Sequence, residues 1–500
     1  MLLRIFGVLA SLAAFVVSSK TKPKIILVLV DDQDVHMESL KHMALLKKQM
    51  GNSVYKSLLR LSHNTNMTDV IAPYWNATWQ KDQGAPVSRE GTYNTDDLSD
   101  KTINYIREAH AAGKPFFIGS APIATHSEVV VRPDTYNGTI SPTDPSIQPL
   151  ILPPKPAKRH TDMVRDLKLP RTPNFNPKEP NGVSWVAQRP RLNQTYVDYG
   201  DNFFRLRLES LLAVDEMVDR IFKELESLDI MDNTYIIYTS DNGYHISQHR
   251  LPPGKQCGFE EDINVPLLIR GPGVPKGVVS DAMTSHTDLA PSIFRMAGVK
   301  PRHEFDGLAV PLTGDELERA SQRRAEHIGI EFWGLAADEG IDSVIMSDLN
   351  TYKGIRLHSK DYNLYYAVHC TNEHELYDMT VDPYQINNLL PSGKNGTGMP
   401  IASYAGSNVK INKKPLLSIV SRLDALLMAM KSCKGETCIK PWKVLHPDGD
   451  VNSLKDALKN KYDSSYLHTA DKNSASFNMS MSGYVVTAEG PQDPSIYQGY

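Results

Sequence analysis

Short apolar runs alternate, up to about residue 300, with stretches in which apolar side chains recur every three or four positions. The runs that are typical of buried strands occupy 25–30, 115–120, 234–238 and 265–270. Between them, helical spacing occupies 40–50, 98–109, 208–225 and 287–296. Because strands and helices alternate, the pattern predicts a doubly wound α/β sheet.

Two single residues and one irregular region add detail to this pattern. Pro266 predicts that the strand over 265–270 lies at an edge or carries a bulge, because proline cannot donate to a sheet ladder. Thr287 is predicted to cap the N-terminus of the helix over 287–296. Over 51–96 the periodicity fails, and only a helical fragment is predicted, at Lys56-Ser57-Leu58-Leu59-Arg60.

Beyond about residue 320 the pattern changes to a hairpin followed by a long helix. The two strands are predicted at 352–357 and 362–368, and the helix at 415–431. We therefore predict two folded units. The first is an α/β unit over 20–320 whose pattern is interrupted near 51–75, and the second is a smaller α+β unit with its tail over 321–500.

Acidic and amide side chains follow two of the predicted strands. Asp31 and Asp32 follow the run over 25–30, and Asp241 and Asn242 follow the run over 234–238. Residues 240–243 alone fit an ordinary turn, but the carboxyl ends of parallel strands share one edge, where ligands bind. Carboxylate and amide oxygens suit Ca²⁺ or Mg²⁺, and clustered carboxylates repel one another unless a cation neutralises them. The two motifs together predict a cation site.

Composition and motifs predict a secreted protein that does not bind nucleic acid. The chain has 54 lysine and arginine residues and 58 acidic residues. This near balance lacks the excess of basic residues that is typical of nucleic-acid-binding proteins. Residues 1–19 have the charge, apolar run and small residues of a signal peptide, and no later run is apolar for long enough to span a membrane. N-glycosylation is predicted at six sequons: Asn66, Asn76, Asn137, Asn193, Asn395 and Asn478.

The four cysteines fit an oxidising compartment. Cys433 and Cys438 flank four residues and are spaced for a small-loop disulfide. Cys257 and Cys370 have no evident partner in the sequence.

Several of these segments together resemble the sulfatase family of the alkaline phosphatase-like superfamily, and in particular secreted fungal-type arylsulfatases. The resemblance rests on Asp31-Asp32-Gln33-Asp34, Ala121-Pro122-Ile123-Ala124-Thr125-His126 and Thr239-Ser240-Asp241-Asn242-Gly243-Tyr244-His245. It continues in Lys255, Glu260-Glu261-Asp262-Ile263-Asn264-Val265-Pro266, Ser285-His286-Thr287-Asp288-Leu289-Ala290-Pro291, Glu375-Leu376-Tyr377-Asp378 and Asp382-Pro383.

The resemblance implies an alkaline phosphatase-type sheet with a C-terminal α+β subdomain, and hydrolysis of small-molecule aryl or other sulfate esters. It implies that Asp31, Asp32, Asp241 and Asn242 hold Ca²⁺, with Mg²⁺ possible. It also implies that His126 and Lys255 contact the sulfate, with His126 able to protonate the leaving oxygen. For His245, contact with the substrate and a structural role stay equally open.

One part of the family pattern is missing. Sulfatases use a formylglycine nucleophile made from the first residue of a Cys-X-Pro-Ser-Arg motif, and this chain has no cysteine before Cys257 and no Pro-Ser-Arg. The gap falls in the irregular region near 51–75. Three interpretations stay open: an arylsulfatase whose sequence lacks exons here, a secreted inactive sulfatase-like protein that binds a cation or sulfated ligand, and a phosphoesterase.

Overall fold

A computed structural model describes residues 22–51, 54–58, 74–131, 149–323, 325–341, 343–393, 396, 398–469 and 474–490. The predicted signal peptide over 1–19 and the sequons at Asn66, Asn137 and Asn395 lie outside these residues. Among the described residues, no helix combines the length and the apolar character needed to cross a bilayer.

The strands are numbered in chain order. They are β1 (Lys24–Val30), β2 (Val54–Leu58), β3 (Thr78–Trp79), β4 (Val87–Ser88), β5 (Phe117–Ser120), β6 (Glu128–Val131), β7 (Pro149–Leu152), β8 (Thr234–Ser240), β9 (Asn264–Arg270), β10 (Ser280–Thr284), β11 (His327–Phe332), β12 (Ala336–Ala337), β13 (Ile345–Ser347), β14 (Tyr352–His358), β15 (Asn363–His369), β16 (His374–Asp378), β17 (Lys410–Ile411) and β18 (Lys414–Pro415).

The α-helices follow the same convention. They are α1 (Ala44–Met50), α2 (Asn94–Ala111), α3 (Ser184–Ala187), α4 (Gln194–Ser227), α5 (Glu260–Ile263), α6 (Leu289–Met296), α7 (Gly314–Arg323), α8 (Leu416–Met430), α9 (Glu436–Ile439), α10 (Pro441–Leu445), α11 (Leu454–Ala457) and α12 (Asp463–Thr469). Short 3₁₀ turns lie at Ser39–His42, Lys158–His160, Met231–Asn233, His286–Asp288, Ile401–Gly406, Asn460–Tyr462 and Val486–Ala488.

The first sheet is mixed and has helices on both faces, which confirms the predicted α/β class. Its strand order is β10-β2-β9-β8-β1-β5, with β1 parallel to both β8 and β5 and β9 antiparallel to β8. Successive residues of β1 face opposite sides: Ile26 packs in a core with α1, α2 and α4, whereas Ile25 packs in a second core with α6. The apolar runs over 25–30 and 234–238 therefore form two adjacent inner strands, β1 and β8.

The helical fragment predicted at residues 56–60 is wrong for the residues that the structure describes there. Val54–Leu58 form β2, which pairs antiparallel with β9 and parallel with β10. The open slot between these two strands offers ladder hydrogen bonds, and this tertiary pairing outweighs the weak local helical pattern. The irregular region therefore contributes a strand to the sheet.

The predictions for Pro266 and Thr287 also need correction. β9 is an inner strand, but its pairing with β8 begins at Leu267, so Pro266 has a registered partner only in β2, at Lys56. The backbone N–H that proline lacks is therefore missing at a position where β9 pairs with β2 alone. The helix start is capped two residues earlier than predicted, because Ser285 and Asp288 form a capping box around His286–Asp288 ahead of α6.

A second, antiparallel sheet follows along the chain, with strand order β11-β14-β15-β16. The predicted hairpin corresponds to β14 and β15, and the predicted helix corresponds to α8. One face of this sheet packs on α8 through residues such as Ile355 and Leu423. The other face packs through Tyr365 against Leu251, Phe259 and Ile263, which belong to the segments that follow β8. The second sheet therefore supports the segments that carry candidate site residues, while the exact unit boundary at 320 stays a prediction.

Candidate active site

The two predicted acidic strand ends lie side by side. β1 and β8 are parallel neighbours with Val30 in register with Ser240, so the residues that follow both strands leave the sheet at one edge. The Asp241 N–H donates to the Val30 carbonyl at 3.0 Å, and the Asp32 N–H donates to Asp241 Oδ1 at 3.0 Å. The structure thus brings the two predicted halves of the cation site together.

Asp32 is the buried centre of this edge. Its Oδ1 accepts hydrogen bonds from Asn242 Nδ2 at 2.5 Å and from Lys255 Nζ at 2.8 Å. Burial alone would raise the pKa of Asp32, but the positive charges of Lys255, His126 and Arg207 lower it to about 2. Its Oδ2 is buried and has no hydrogen-bond partner among the described residues, a position that suits a cation.

Asp31 and Asp241 keep an accessible edge beside Asp32. Burial raises the pKa of Asp31 well above its usual range, and the negative charges of Asp241 and Asp32 raise it further. Burial and the charge of Asp32 likewise raise the pKa of Asp241. Charged carboxylates are therefore held close together at a cost, which a bound cation would relieve.

The donor set fits a hard divalent cation. One ligand atom each from Asp31, Asp32 and His126 lies within 4.8 Å of the others. The amide of Asn242 points its nitrogen at Asp32, and a rotation of the amide by half a turn would present its oxygen instead. Ca²⁺ and Mg²⁺ bind carboxylate and amide oxygens. This edge offers both, including the Asp32 Oδ2 that has no partner among the described residues.

His126 lies in the loop that follows β5 and is partly exposed. This loop is tied to the end of β1, because the Thr125 N–H donates to the Asp31 carbonyl at 2.6 Å and the Asp31 N–H donates to the Ala124 carbonyl at 3.2 Å. The His126 Nδ1 lies 2.6 Å from the Ser127 carbonyl. A proton on Nδ1 donates to that carbonyl and leaves Nε2 as the nitrogen able to exchange a proton with a ligand.

Lys255 brings positive charge to the acidic edge. The residue is 9% exposed, and its Nζ reaches Asp32 from the loop between β8 and α5. Burial alone would lower the pKa of Lys255, but the negative charges of Asp32, Glu339 and Asp31 raise it. The ammonium group is therefore held charged at the edge where a sulfate would carry negative charge.

His245 has no exposed surface. Its Nδ1 lies 2.8 Å and 2.9 Å from the two carboxylate oxygens of Asp262, and the backbone N–H of Cys257 donates to the same carboxylate at 2.8 Å. This geometry favours the structural role of His245 over contact with a substrate, and the contact stays a prediction.

Two site residues escaped the sequence analysis. Arg207 in α4 donates to the Asp32 carbonyl and lies 4.3 Å above the Tyr244 ring. Arg207 is buried on the same face of α4 as Phe203 and Leu211. A charged residue on an otherwise apolar helix face could have identified it from the sequence as a candidate site residue. The second is Glu339, a buried carboxylate near Lys255 and Asp31, for which no motif stood out.

The remaining predicted residues lie away from this edge. Cys433 and Cys438 are joined by a disulfide with a Cα–Cα distance of 5.1 Å, whereas Cys257 and Cys370 are buried free thiols. Asn76, Asn193 and Asn478 are exposed, as glycosylation requires, and their modification stays a prediction.

Comparison with known proteins decides the family. The family model Sulfatase matches residues 23–299, more than half of the chain. A model described as N-sulphoglucosamine sulphohydrolase, C-terminal, matches residues 253–397. A protein of Metarhizium majus named sulfatase ppz1 is 37% identical over 476 residues, which cover 94% of this chain and 97% of that protein. The chain belongs to the sulfatase family.

Two algal relatives of this sulfatase are named arylsulfatase. The one from Volvox carteri is 33% identical over 430 residues, which cover 81% of this chain and 62% of that protein. The one from Chlamydomonas reinhardtii is 33% identical over 419 residues, which cover 79% of this chain and 60% of that protein. The sulfatase chain thus spans less than two thirds of either algal protein.

A solved structure supports the fold of this sulfatase. A protein described in complex with its substrate D-glucosamine-2-N,6-O-disulfate aligns with a TM-score of 0.54 at 19% identity, over 75% of this chain and 94% of that chain. At this identity the likeness shows the fold alone, and it confirms the predicted alkaline phosphatase-type architecture. The Cys-X-Pro-Ser-Arg motif is nevertheless absent from the sequence, where no cysteine precedes Cys257.

Proposed function

We propose that this sulfatase acts on sulfate esters at the carboxyl edge of its first sheet, as a sulfuric ester hydrolase of the arylsulfatase type. The observation that supports this is the convergence of acidic and basic side chains at one edge. These are Asp31, Asp32, Asp241 and Asn242 on the cation side, with His126 and Lys255 beside them. An acidic group alone would repel a sulfate, whereas a cation with Lys255 makes an anion site.

The cation in this proposal is Ca²⁺, with Mg²⁺ as the alternative. Asp31, Asp32, Asp241 and Asn242 would hold it, because together they offer oxygen donors and an unpartnered buried carboxylate oxygen. When bound, the cation supplies positive charge next to the sulfuryl oxygens.

Lys255 and His126 have separate roles in this proposal. Lys255 binds a sulfuryl oxygen through Nζ, which its bond to Asp32 at 2.8 Å keeps in place. In the overall hydrolysis the ester S–O bond breaks and the sulfuryl group passes to water. His126 keeps Nδ1 on the Ser127 carbonyl and gives a proton from Nε2 to the departing alkoxide or phenoxide oxygen.

A second candidate function is favoured by the absent nucleophile motif. A chain without Cys-X-Pro-Ser-Arg can still bind a cation and a sulfated ligand through the residues above, without cleaving the ester. Both candidate functions require binding of the sulfated ligand, but only the hydrolase cleaves the ester.

The test pairs turnover with binding on one preparation of the full chain from a eukaryotic secretory host. Hydrolysis of p-nitrophenyl sulfate above a protein-free blank, lost with a chelator, supports the hydrolase. Calorimetric binding of Ca²⁺ and the ester without hydrolysis supports the second candidate. Absence of both binding and hydrolysis contradicts the proposed function.

A lysine pair provides the matched variants for this test. Lys255→Ala should weaken ester binding about tenfold or more, because a hydrogen bond to a charged group is lost. Lys461→Ala, which removes an exposed ion pair with Asp450 at 2.9 Å, should leave ester binding unchanged.

A separate experiment tests whether the sequence lacks exons. Sequencing the mature message between the codons of Gly51 and Asn52 tells whether a segment with the missing motif belongs there.

A further inference from the structure

A single buried carboxylate, Glu339, joins three of the four segments that carry the site residues. It lies between β12 and β13, beyond the first sheet in the chain, and is 5% exposed. Its Oε2 accepts hydrogen bonds from Ser127 Oγ at 3.3 Å and from Tyr244 OH at 3.1 Å. Its Oε1 accepts one from Gln256 Nε2 at 3.1 Å.

Each of these three donors is a near neighbour of a proposed site residue in the sequence. Ser127 follows His126 directly, and Gln256 follows Lys255 directly. Tyr244 stands two positions after Asn242. One carboxylate therefore connects the histidine loop, the lysine loop and the cation-binding strand end.

Glu339 is itself fixed on the lysine loop. Its backbone N–H donates to the Pro253 carbonyl at 2.8 Å, and the N–H of Ala337 donates to Gln256 Oε1 at 3.4 Å. Gln256 thus bonds the Glu339 segment through both ends of its amide group. Three hydrogen bonds therefore hold the Glu339 segment against the loop that carries Lys255.

The type of residue matters as much as its place. A buried carboxylate is costly unless several donors satisfy it, and three side-chain donors around one carboxylate fix a definite geometry. An apolar side chain of similar size would fill the space but could not orient Ser127, Tyr244 and Gln256 towards one point.

We propose that Glu339 is a positioning residue for sulfate recognition, which holds the loops of His126 and Lys255 in place beside the strand end that carries Asn242. The inference rests on the proposed function, because it concerns the sulfate site of that proposal. It means that a residue beyond the first sheet controls the affinity of a site built on that sheet.

Two substitutions separate position from charge. Glu339→Asp keeps the negative charge but withdraws the carboxylate by one methylene, and Glu339→Gln keeps the length but loses the charge and part of the accepting capacity. If Glu339 positions the site, both variants should bind p-nitrophenyl sulfate about tenfold more weakly at saturating Ca²⁺. The Kd for Ca²⁺ should change less than the Kd for the ester, because Asp31 and Asp32 follow β1, and among the described residues the Glu339 carboxylate bonds only to Ser127, Tyr244 and Gln256.

Glu373 offers a matched control. It is a buried glutamate that accepts hydrogen bonds from the Ser184 N–H at 2.8 Å and from Thr371 Oγ1 at 2.8 Å, among partners that lie outside the site. Glu373→Asp and Glu373→Gln should lower the melting temperature without changing the affinity for the ester. A loss of ester affinity in these variants equal to that of the Glu339 variants would overturn the proposal.

The remaining outcomes are equally decisive. Wild-type affinity in Glu339→Asp overturns the positioning role, whatever the affinity of Glu339→Gln. If the Glu339 variants do not fold, Tyr244→Phe, which removes one donor and keeps the ring stacked on Phe203 at 5.7 Å, must by itself weaken ester binding. Failure of the wild-type chain to bind Ca²⁺ or ester contradicts the proposed function instead.

Discussion

At the scale of single residues, the candidate site holds more negative charge than its own cations offset. Asp32 has a direct partner in Lys255 at 2.8 Å, whereas Asp31 and Asp241 have their pKa values raised by burial and by the neighbouring carboxylates. Function and stability therefore oppose each other at these two residues: the charges that recruit a cation destabilise the cation-free protein.

Asp241→Asn should expose this opposition. The Asn oxygen can still accept from the Asp32 N–H, as Asp241 Oδ1 does at 3.0 Å, but the repelling charge is gone. In chelator, we expect the variant to melt a few degrees higher than the wild type. In Ca²⁺, the wild type should gain stability with concentration and the variant should gain little.

Differential scanning calorimetry with and without Ca²⁺ measures both effects for Asp241→Asn. Asp162→Asn, at an exposed position paired with Arg165, is the control and should change neither. A variant that melts lower in chelator and keeps the full response to Ca²⁺ would show that Asp241 is not a ligand.

At the scale of elements, the sequence predicts best those that depend on their own residues. β1 and β8 are continuous apolar runs, so their strand character and their polar ends are both visible in the sequence. β2 is a strand because β9 and β10 leave a slot between them, a fact that no local pattern over 54–58 contains. Pro266 was misread for the same reason, since its single registered neighbour is a property of the sheet.

The helix α8 makes a pH-dependent contribution to stability through Asp424. Its Oδ1 accepts from Tyr366 OH at 2.8 Å and its Oδ2 from the Ala475 N–H at 3.0 Å. Burial raises the pKa of Asp424 from 3.8 to about 7. Between these pH values the folded chain binds more protons than the unfolded chain, so the free energy of unfolding falls as pH rises.

Asp424→Asn should remove this dependence. Urea denaturation at pH 4 to 7 should show a decline in the wild type that exceeds the decline in the variant by at most about 4 kcal/mol. At about pH 9 and above the two profiles should run parallel, because a group with a pKa of about 7 has then lost nearly all of its proton. Equal slopes below pH 7 would contradict the raised pKa.

At the scale of the whole molecule, the second sheet is joined to the first part of the chain by buried charge. Arg356 of β14 donates to Glu260 of α5 at 2.8 Å, and both residues are largely buried, at 5% and 6% exposure. Glu339 makes a second connection, to Ser127, Tyr244 and Gln256. These contacts join residues that are far apart in the chain, so hydrophobic periodicity could not reveal them. The proposed cation ligands, in contrast, directly follow apolar runs and could be predicted from local patterns.

Arg356→Met should destabilise the protein strongly, because it leaves Glu260 buried without its arginine. Removing one partner of a buried pair costs about 3–5 kcal/mol, whereas the double variant Arg356→Met with Glu260→Gln should recover part of this loss. Urea denaturation followed by tryptophan fluorescence measures both values.

An exposed pair provides the control for Arg356→Met. Arg165→Met breaks an exposed contact with Asp162 at 3.1 Å and should hardly change the free energy of unfolding. If Arg356→Met costs no more than Arg165→Met, the buried pair does not hold the second sheet in place.

The pairing of β1 directly with β8 has a consequence for how this gene can diversify. The proposed cation ligands depend on these two strands, and β2, which lies inside the irregular region near 51–75, pairs with neither of them. A change of length between Gly51 and Tyr74 therefore leaves the pairing of β1 with β8, and with it the proposed cation site, in place.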